Sequence, residues 1–210
     1  MCEADDEPEG PVFFLSYAHG PNPELVDDFF RELCGHVQQL FGLSADLVGF
    51  MDDVSLRGGE RWSDSLLTAV GTCRVFVPLI SQAYVRSEWC AREWHAFHRR
   101  TVHRLSTGRT TTPVLPVLWS PLGTRRLPRT ICDLQFFLPT GRETSVLREE
   151  LARDGLYGFG VTGHQSYPTV VWRIAQEIWR IDAEHRVEPG IVADYRRLPS
   201  SFWDDHDRPT

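Results

Sequence analysis

Short continuous apolar runs alternate along the chain with longer stretches that have helical spacing. The short runs lack the alternation of a half-exposed strand, so each predicts a strand that is buried on both faces. They lie at residues 12–17 (VFFLSY), 47–51, 74–80 (RVFVPLI) and 114–119 (VLPVLW), and a fifth is predicted at 134–138. In the third run Pro78 has no amide hydrogen, so we expect it near the strand end or at an unpaired position.

Helical spacing predicts helices between these strands. Asn22 and Pro23 are a typical helix start, and Gly42 is well placed to end the first helix. A short second helix is predicted around residues 62–70, and a third from about 82 to 102. A strongly amphipathic last helix is expected over residues 167–181.

The alternation of strands and helices predicts a flavodoxin-like, doubly wound α/β fold of about five parallel strands with helices on both faces. Sites in such folds form beyond the carboxyl ends of the strands, where the strand order reverses. Residues 16–20, the polar loop 52–61 and the segment that follows residue 81 are therefore the candidate site regions. We expect a disordered lead-in at 1–10, one domain at 11–185, and a linker or tail at 186–210.

Composition and charge exclude several classes of protein. Of 210 residues 41% are hydrophobic, which is enough for a large core, and 22 basic against 29 acidic residues give a net charge of −7. This acidic balance argues against nucleic-acid binding. No apolar run reaches membrane-spanning length, the first ten residues lack a signal-peptide core, and the five cysteines form no C-x-x-C pair. We expect a cytoplasmic protein without membrane contact.

Four segments, in order, resemble the TIR-domain family. FLSYAH (14–19) resembles its first-strand box, and FMDD with LRGGERW (50–53, 56–62) resembles its second strand and BB loop. CRVFVPLIS (73–81) resembles the third strand, and SEWCAREW (87–94) resembles the W-C-x-x-E segment of the third helix. The resemblance is good over 12–119 and weaker to about 181. A narrower resemblance is to TIR-like proteins of actinobacterial peptide-maturation clusters. It rests on the segments FFLSYAH, GFMD, TCRVFVPL and DGLYGF (154–159).

The resemblance implies an enzyme that cleaves NAD into nicotinamide and ADP-ribose, or a cyclic ADP-ribose isomer, in signalling or defence. Glu93 matches the glutamate that is catalytic in enzymatic members. A carboxylate suits this reaction because loss of nicotinamide leaves positive charge on the ribose. The resemblance implies that NAD is the substrate and that neither a metal nor a further cofactor is required. Trp89, four residues earlier, shares the helix face of Glu93 and is expected to stack on a base.

The resemblance also implies a wider pocket and an interaction loop. The expected pocket residues are Ser16, Tyr17, His19, Asp52 and Arg57, and the expected loop residues are Leu56, Gly58 and Gly59. Active members commonly build the site between protomers, so a homo-oligomer or TIR–TIR assembly is expected. Ala18 and His19 stand where many active members carry basic residues.

Each of these interpretations has an alternative. Glu93 can be a solvated helix carboxylate paired with Arg86 or His98, and Trp89 can be a core residue. Cys90, His95 and His98 lack a fourth metal ligand at a recognisable spacing, so exposed histidines are the simpler interpretation. At the level of function, the alternatives are a non-enzymatic TIR interaction module and a nucleoside deoxyribosyltransferase-like enzyme.

Overall fold

The computed structural model describes residues 10–51, 64–105, 112–123, 126–140, 145–192 and 194–203. Within these ranges strands and helices alternate through most of the chain. The strands are β1 (Phe13–Ser16), β2 (Gly49–Met51), β3 (Val75–Ile80), β4 (Val102–Arg104), β5 (Val117–Leu118) and β6 (His185–Val187). The helices are α1 (Pro23–Phe41), α2 (Asp64–Thr72), α3 (Gln82–Arg86), α4 (Glu88–His98), α5 (Arg129–Cys132), α6 (Ser145–Thr162) and α7 (Tyr167–Glu184), with 3-10 turns at Ala45–Leu47 and Tyr195–Arg197.

The main sheet is parallel and, in the described part of the chain, has the strand order β2-β1-β3-β5. Phe14 lies opposite Phe50 of β2 on one side and Phe76 of β3 on the other. The chain passes from β1 to one neighbour and then crosses to the other, so the strand order reverses between β1 and β3. This arrangement confirms the predicted doubly wound α/β fold.

Helices cover both faces of this sheet. Phe13 and Leu15 face a core built with α1, α6 and α7, whereas Phe14 faces a second core built with α2, α3 and α4. Alternate residues of β1 are therefore buried on opposite sides, as its unbroken apolar run predicts. We refer to these as the α1 face and the α4 face.

The fourth predicted strand is interrupted. Val114 forms only an isolated bridge with Phe76, and regular pairing resumes at β5. Pro78 lies inside β3, two residues after Phe76, whose amide donates to Pro113 O at 2.9 Å. Backbone nitrogens two residues apart in a strand point to the same neighbouring strand. Position 78 therefore faces the 114–118 segment without a hydrogen to donate, which accounts for the gap in the ladder. The predicted fifth strand at 134–138 is absent from the assigned strands, although the Phe137 amide donates to Pro116 O at 2.8 Å.

Two predicted helices agree closely with the structure. α1 begins at Pro23 and is followed by Gly42 in the left-handed conformation (φ 67°). Asn22 makes no side-chain cap, because its amide group donates instead to the Tyr157 hydroxyl at 2.5 Å. α7 presents its apolar residues to the α1-face core, as the amphipathic pattern predicts.

The third predicted helix is two helices. Ser87 has extended backbone angles between α3 and α4, and its side chain accepts a hydrogen bond from the Cys90 amide at 3.2 Å. A serine at this position caps a new helix instead of continuing the old one. Val102, expected in the same helix, lies in β4, which pairs antiparallel with β6.

The sequence pattern did not predict α6. The helix contains Gly155, Gly158 and Gly160, and glycine disfavours helix interiors. Its backbone leaves the helical region at Gly155 (φ 69°, ψ 172°), where the chain is kinked. A Cβ atom at this position would lie 2.4 Å from Trp119 O, which accepts the Tyr157 amide at 2.8 Å.

Residues after α7 fold back onto the α4 face. Leu198 and Phe202 are buried in its core, and Val192 and Tyr195 pack against them. Residues 1–9 of the expected lead-in and the whole loop at 52–61 lie outside the described residues. Within the part that is described, no helix is long and apolar enough to cross a membrane.

We predict that Gly155→Ala destabilises the protein. The backbone conformation is open essentially to glycine alone, so an alanine costs about 1–3 kcal/mol in strain before the clash with Trp119 O is counted. Urea unfolding measures this free energy. Gly35→Ala in α1 is the matched control, because nothing lies within 4 Å of its added methyl group, and it should stabilise by roughly 0.5–1 kcal/mol. Equal stability of wild type and Gly155→Ala would contradict the kink geometry.

Candidate active site

The carboxyl ends of β1 and β3 bring Ser16 and Glu93 together. Ser16 is the last residue of β1 and lies opposite Pro78 of β3, while Glu93 lies in the middle of α4, which follows β3. Ser16 Oγ donates to Glu93 Oε2 at 2.5 Å. Glu93 is only 6% exposed and Ser16 only 1%, so this pair is buried at the point where the strand order reverses.

Tyr84 extends this hydrogen-bonded group. Its hydroxyl lies 3.1 Å from Ser16 Oγ, and the side chain is fully buried. A serine hydroxyl has one hydrogen, which Ser16 gives to Glu93, so Tyr84 must be the donor to Ser16. The donors therefore run in one direction, from Tyr84 through Ser16 to the carboxylate of Glu93.

Burial keeps the neighbouring groups of this cluster protonated. Burial is the main cause that raises the pKa of Tyr84 well above its usual value. Burial and the charge of Glu93 likewise raise the pKa of the Cys90 thiol well above its usual value. Near neutral pH Tyr84 is thus a stable donor and Cys90 is a neutral thiol.

The burial of Glu93 removes the solvated-carboxylate interpretation. A charged side chain is rarely this buried unless it is paired or hydrogen-bonded. Its placement follows from local structure, because Ser81 caps α3 and Ser87 caps α4, so the chain turns twice directly after β3. The two turns place the middle of α4 over the end of β1.

Trp89 lies one helical turn before Glu93 and is half-buried against the α4-face core. The Arg92 guanidinium lies 5.3 Å from its ring centre. The Tyr195 ring stacks on it, with centroids 5.9 Å apart and planes 29° apart. The indole is therefore already engaged by a flat side chain of the protein.

Of the other predicted pocket residues, the structure describes Tyr17 and His19. Tyr17 packs against the core of the α1 face, and its ring stacks on the exposed His19 ring at 5.1 Å. Five predicted residues lie outside the described residues: Asp52 and the loop residues Leu56, Arg57, Gly58 and Gly59.

The two histidines of α4 contact backbone carbonyl oxygens. His95 Nε2 lies 3.1 Å from Ser201 O, and His98 Nδ1 lies 2.8 Å from Trp94 O. The described residues contain no group of three or more His, Cys, Asp or Glu side chains arranged to hold a metal ion.

Sequence reasoning missed two parts of this site. Tyr84 is an apolar-face residue of a short helix, and nothing in the pattern pairs it with Ser16. Tyr195 and Phe202 fall in a polar, proline-containing stretch, where isolated aromatic residues were the one available signal.

Comparison with known proteins places the chain in a family. It belongs to the TIR-domain family, whose match covers residues 13–147. It is 41% identical over 49 residues to the probable 2′ cyclic ADP-D-ribose synthase BdTIR of Brachypodium distachyon, a match that covers 23% of this chain and 22% of that protein. The matched region thus spans about a fifth of the relative's length.

A solved structure of TIR domains is also similar. It is the activated Roq1 resistosome directly recognizing the pathogen effector XopQ. The identity is 20%, the similarity covers 82% of this chain and 84% of the other, and the TM-score is 0.35.

We predict that Tyr84→Phe destabilises the protein in a pH-dependent way. Near pH 7.5 the loss of a donor to buried Ser16 costs about 1–3 kcal/mol. Tyrosine ionises near pH 10 when unfolded but stays protonated in the fold, so its contribution is complete below that pH and falls as pH rises. The difference in unfolding free energy between wild type and variant should therefore narrow from pH 8 to pH 11 in urea titrations. A constant difference would contradict the buried donor.

Proposed function

We propose that this protein is a TIR-type NAD glycohydrolase that uses Glu93 as its catalytic carboxylate. One observation carries the proposal: the motif glutamate of a TIR-family chain is buried at the strand-order reversal and is held by the hydroxyl of Ser16. A charged group is costly to bury, so its position in the part of the fold where ligands bind favours a functional role.

The proposed reaction balances without a metal or redox step. The bond between ribose C1′ and the nicotinamide nitrogen breaks, and its electron pair leaves with the ring, which departs as neutral nicotinamide. Positive charge develops on the ribose, and the Glu93 carboxylate stabilises it. Water then adds to C1′ and releases a proton, giving ADP-ribose, or a hydroxyl of the ADP-ribose itself adds and closes a cyclic isomer.

Other residues have supporting roles in this proposal. Ser16 orients the Glu93 carboxylate, and Tyr84 in turn orients Ser16. Trp89 lies one turn away on α4 and offers an aromatic surface for a flat base. Tyr17, His19, Asp52 and Arg57 are proposed substrate contacts by resemblance to the family.

The biological setting belongs to the proposal as well. The described activity of the BdTIR relative supports NAD as the substrate and a cyclic product as one outcome. Self-association through the loop that contains Leu56, Gly58 and Gly59, a role in signalling or defence and kinship with actinobacterial peptide-maturation proteins rest on resemblance. A cytoplasmic location rests on the scattered cysteines, and the division into a lead-in, a domain at 11–185 and a tail rests on the sequence pattern.

We predict that Glu93→Gln lowers nicotinamide release at least about a hundredfold, because it removes the charge that stabilises the transition state. Glutamine keeps an oxygen that can accept from Ser16, so the fold should survive. Nicotinamide is measured by chromatography after incubation of concentrated protein with NAD, with and without a crowding agent. Glu88→Gln is the control, because this glutamate is on the same helix with its side chain 68% exposed, and its activity should match wild type.

Each contrary result has a defined meaning. Undiminished release by Glu93→Gln would remove Glu93 from the chemistry. No release by wild type under assembling conditions would favour a non-enzymatic interaction module. Cleavage of free nucleosides in place of NAD would favour a deoxyribosyltransferase-like enzyme.

A further inference from the structure

The segment after β6 runs along the α4 face. Its first part is tied to the domain by backbone contacts: the Glu188 amide donates to Thr101 O at 2.9 Å, and the Gly190 amide donates to Gly71 O at 2.8 Å. The buried Arg100 adds a hydrogen bond from Nε to Glu188 O at 3.0 Å. These contacts fix where the segment begins its path over α4.

The remainder, residues 194–203, is held differently, and we call it the strap. Its backbone–backbone hydrogen bonds among the described residues are local, from Arg197 to Asp194 O and from Leu198 to Tyr195 O. Its contacts to the domain are made mainly by side chains. Segments held in this way open at lower free-energy cost than paired strands or packed helices.

Three residues of the strap contact the candidate site and its surroundings. Tyr195 stacks on Trp89, and the Ser201 carbonyl lies 3.1 Å from His95 Nε2. Phe202 packs against Tyr84 at 5.4 Å between ring centres and against Trp94 at 6.0 Å. Tyr84 is the donor to Ser16, so the strap ends one side chain away from the group that holds Glu93.

The Trp89–Tyr195 stack leaves no room for a third ring. A flat base inserted between two rings needs roughly twice the spacing of a single stacked pair, but these centroids are 5.9 Å apart, within the range of direct aromatic contact. A base can therefore use this surface of Trp89 only after Tyr195 has moved. Tyrosine and base compete for one aromatic surface.

We infer that the strap is an autoinhibitory element, in which Tyr195 occupies the base-stacking surface of Trp89 until substrate displaces it. This inference rests on the proposed NAD-cleaving function. The site alternates between a closed form, with Tyr195 on Trp89, and an open form that admits the base. NAD binds only the open form, so the apparent affinity for NAD equals the affinity of the open form multiplied by the fraction of molecules that are open.

Substitution of the tyrosine tests the inference. Tyr195→Ala removes the competing ring and leaves Leu198 and Phe202 to hold the strap, so KM for NAD should fall roughly two- to tenfold with kcat little changed. Arg197→Ala is the matched control in the same 3-10 turn, because its side chain is 87% exposed and its ion pair with Asp194 is a surface one. Its KM should stay within about twofold of wild type.

A second measurement does not depend on turnover. In the Glu93→Gln background, saturating NAD should increase amide hydrogen exchange of residues 194–203 while that of β3 stays unchanged. An unchanged or higher KM in Tyr195→Ala, or no increase in exchange when NAD binds, would overturn the strap and leave the glycohydrolase intact. No nicotinamide release by wild type or Tyr195→Ala would overturn the proposed function, and the inference with it.

Discussion

The arrangement of this site depends on one hydrogen bond, from the Ser16 hydroxyl to the Glu93 carboxylate at 2.5 Å. A carboxylate that is 6% exposed is unfavourable unless polar groups compensate for the lost water. The hydroxyl that does so is the last side chain of β1, and its position is set by the parallel register of β1 with β3. The turns at Ser81 and Ser87 then bring α4 over the same strand end. Strand pairing and helix capping together determine where the Glu93 side chain lies.

The same helix carries both Glu93 and the half-buried Trp89, which lie one turn apart. The strap contacts the indole of Trp89 through Tyr195, and it contacts the buried hydrogen-bonded group through Phe202, which packs against Tyr84. A movement of the strap would therefore change access to the aromatic surface and also the packing behind the donor that orients Ser16.

Much of this architecture was predictable, and the exceptions have physical causes. The unbroken apolar run of β1 and the amphipathic stripe of α7 report burial directly, so both elements were placed correctly. The split at Ser87, the gap beside Pro78 and the glycine-rich α6 arise where one residue's local chemistry overrides the periodic pattern. Glu93 was predicted by resemblance, but the contact of Tyr84 with Ser16 and the packing of the strap were not, because contacts between residues distant in sequence leave no periodic signal.

A crystal structure of the Glu93→Gln variant with NAD would show directly whether the nicotinamide-bearing ribose binds at position 93. We expect this ribose to lie within hydrogen-bond distance, roughly 3 Å, of the side chain at position 93, with a base on Trp89 and Tyr195 displaced. NAD bound instead in the open groove on the α1 face, which is lined by residues of α1, α6 and α7 including Asp28, Arg31 and Tyr167, would contradict it.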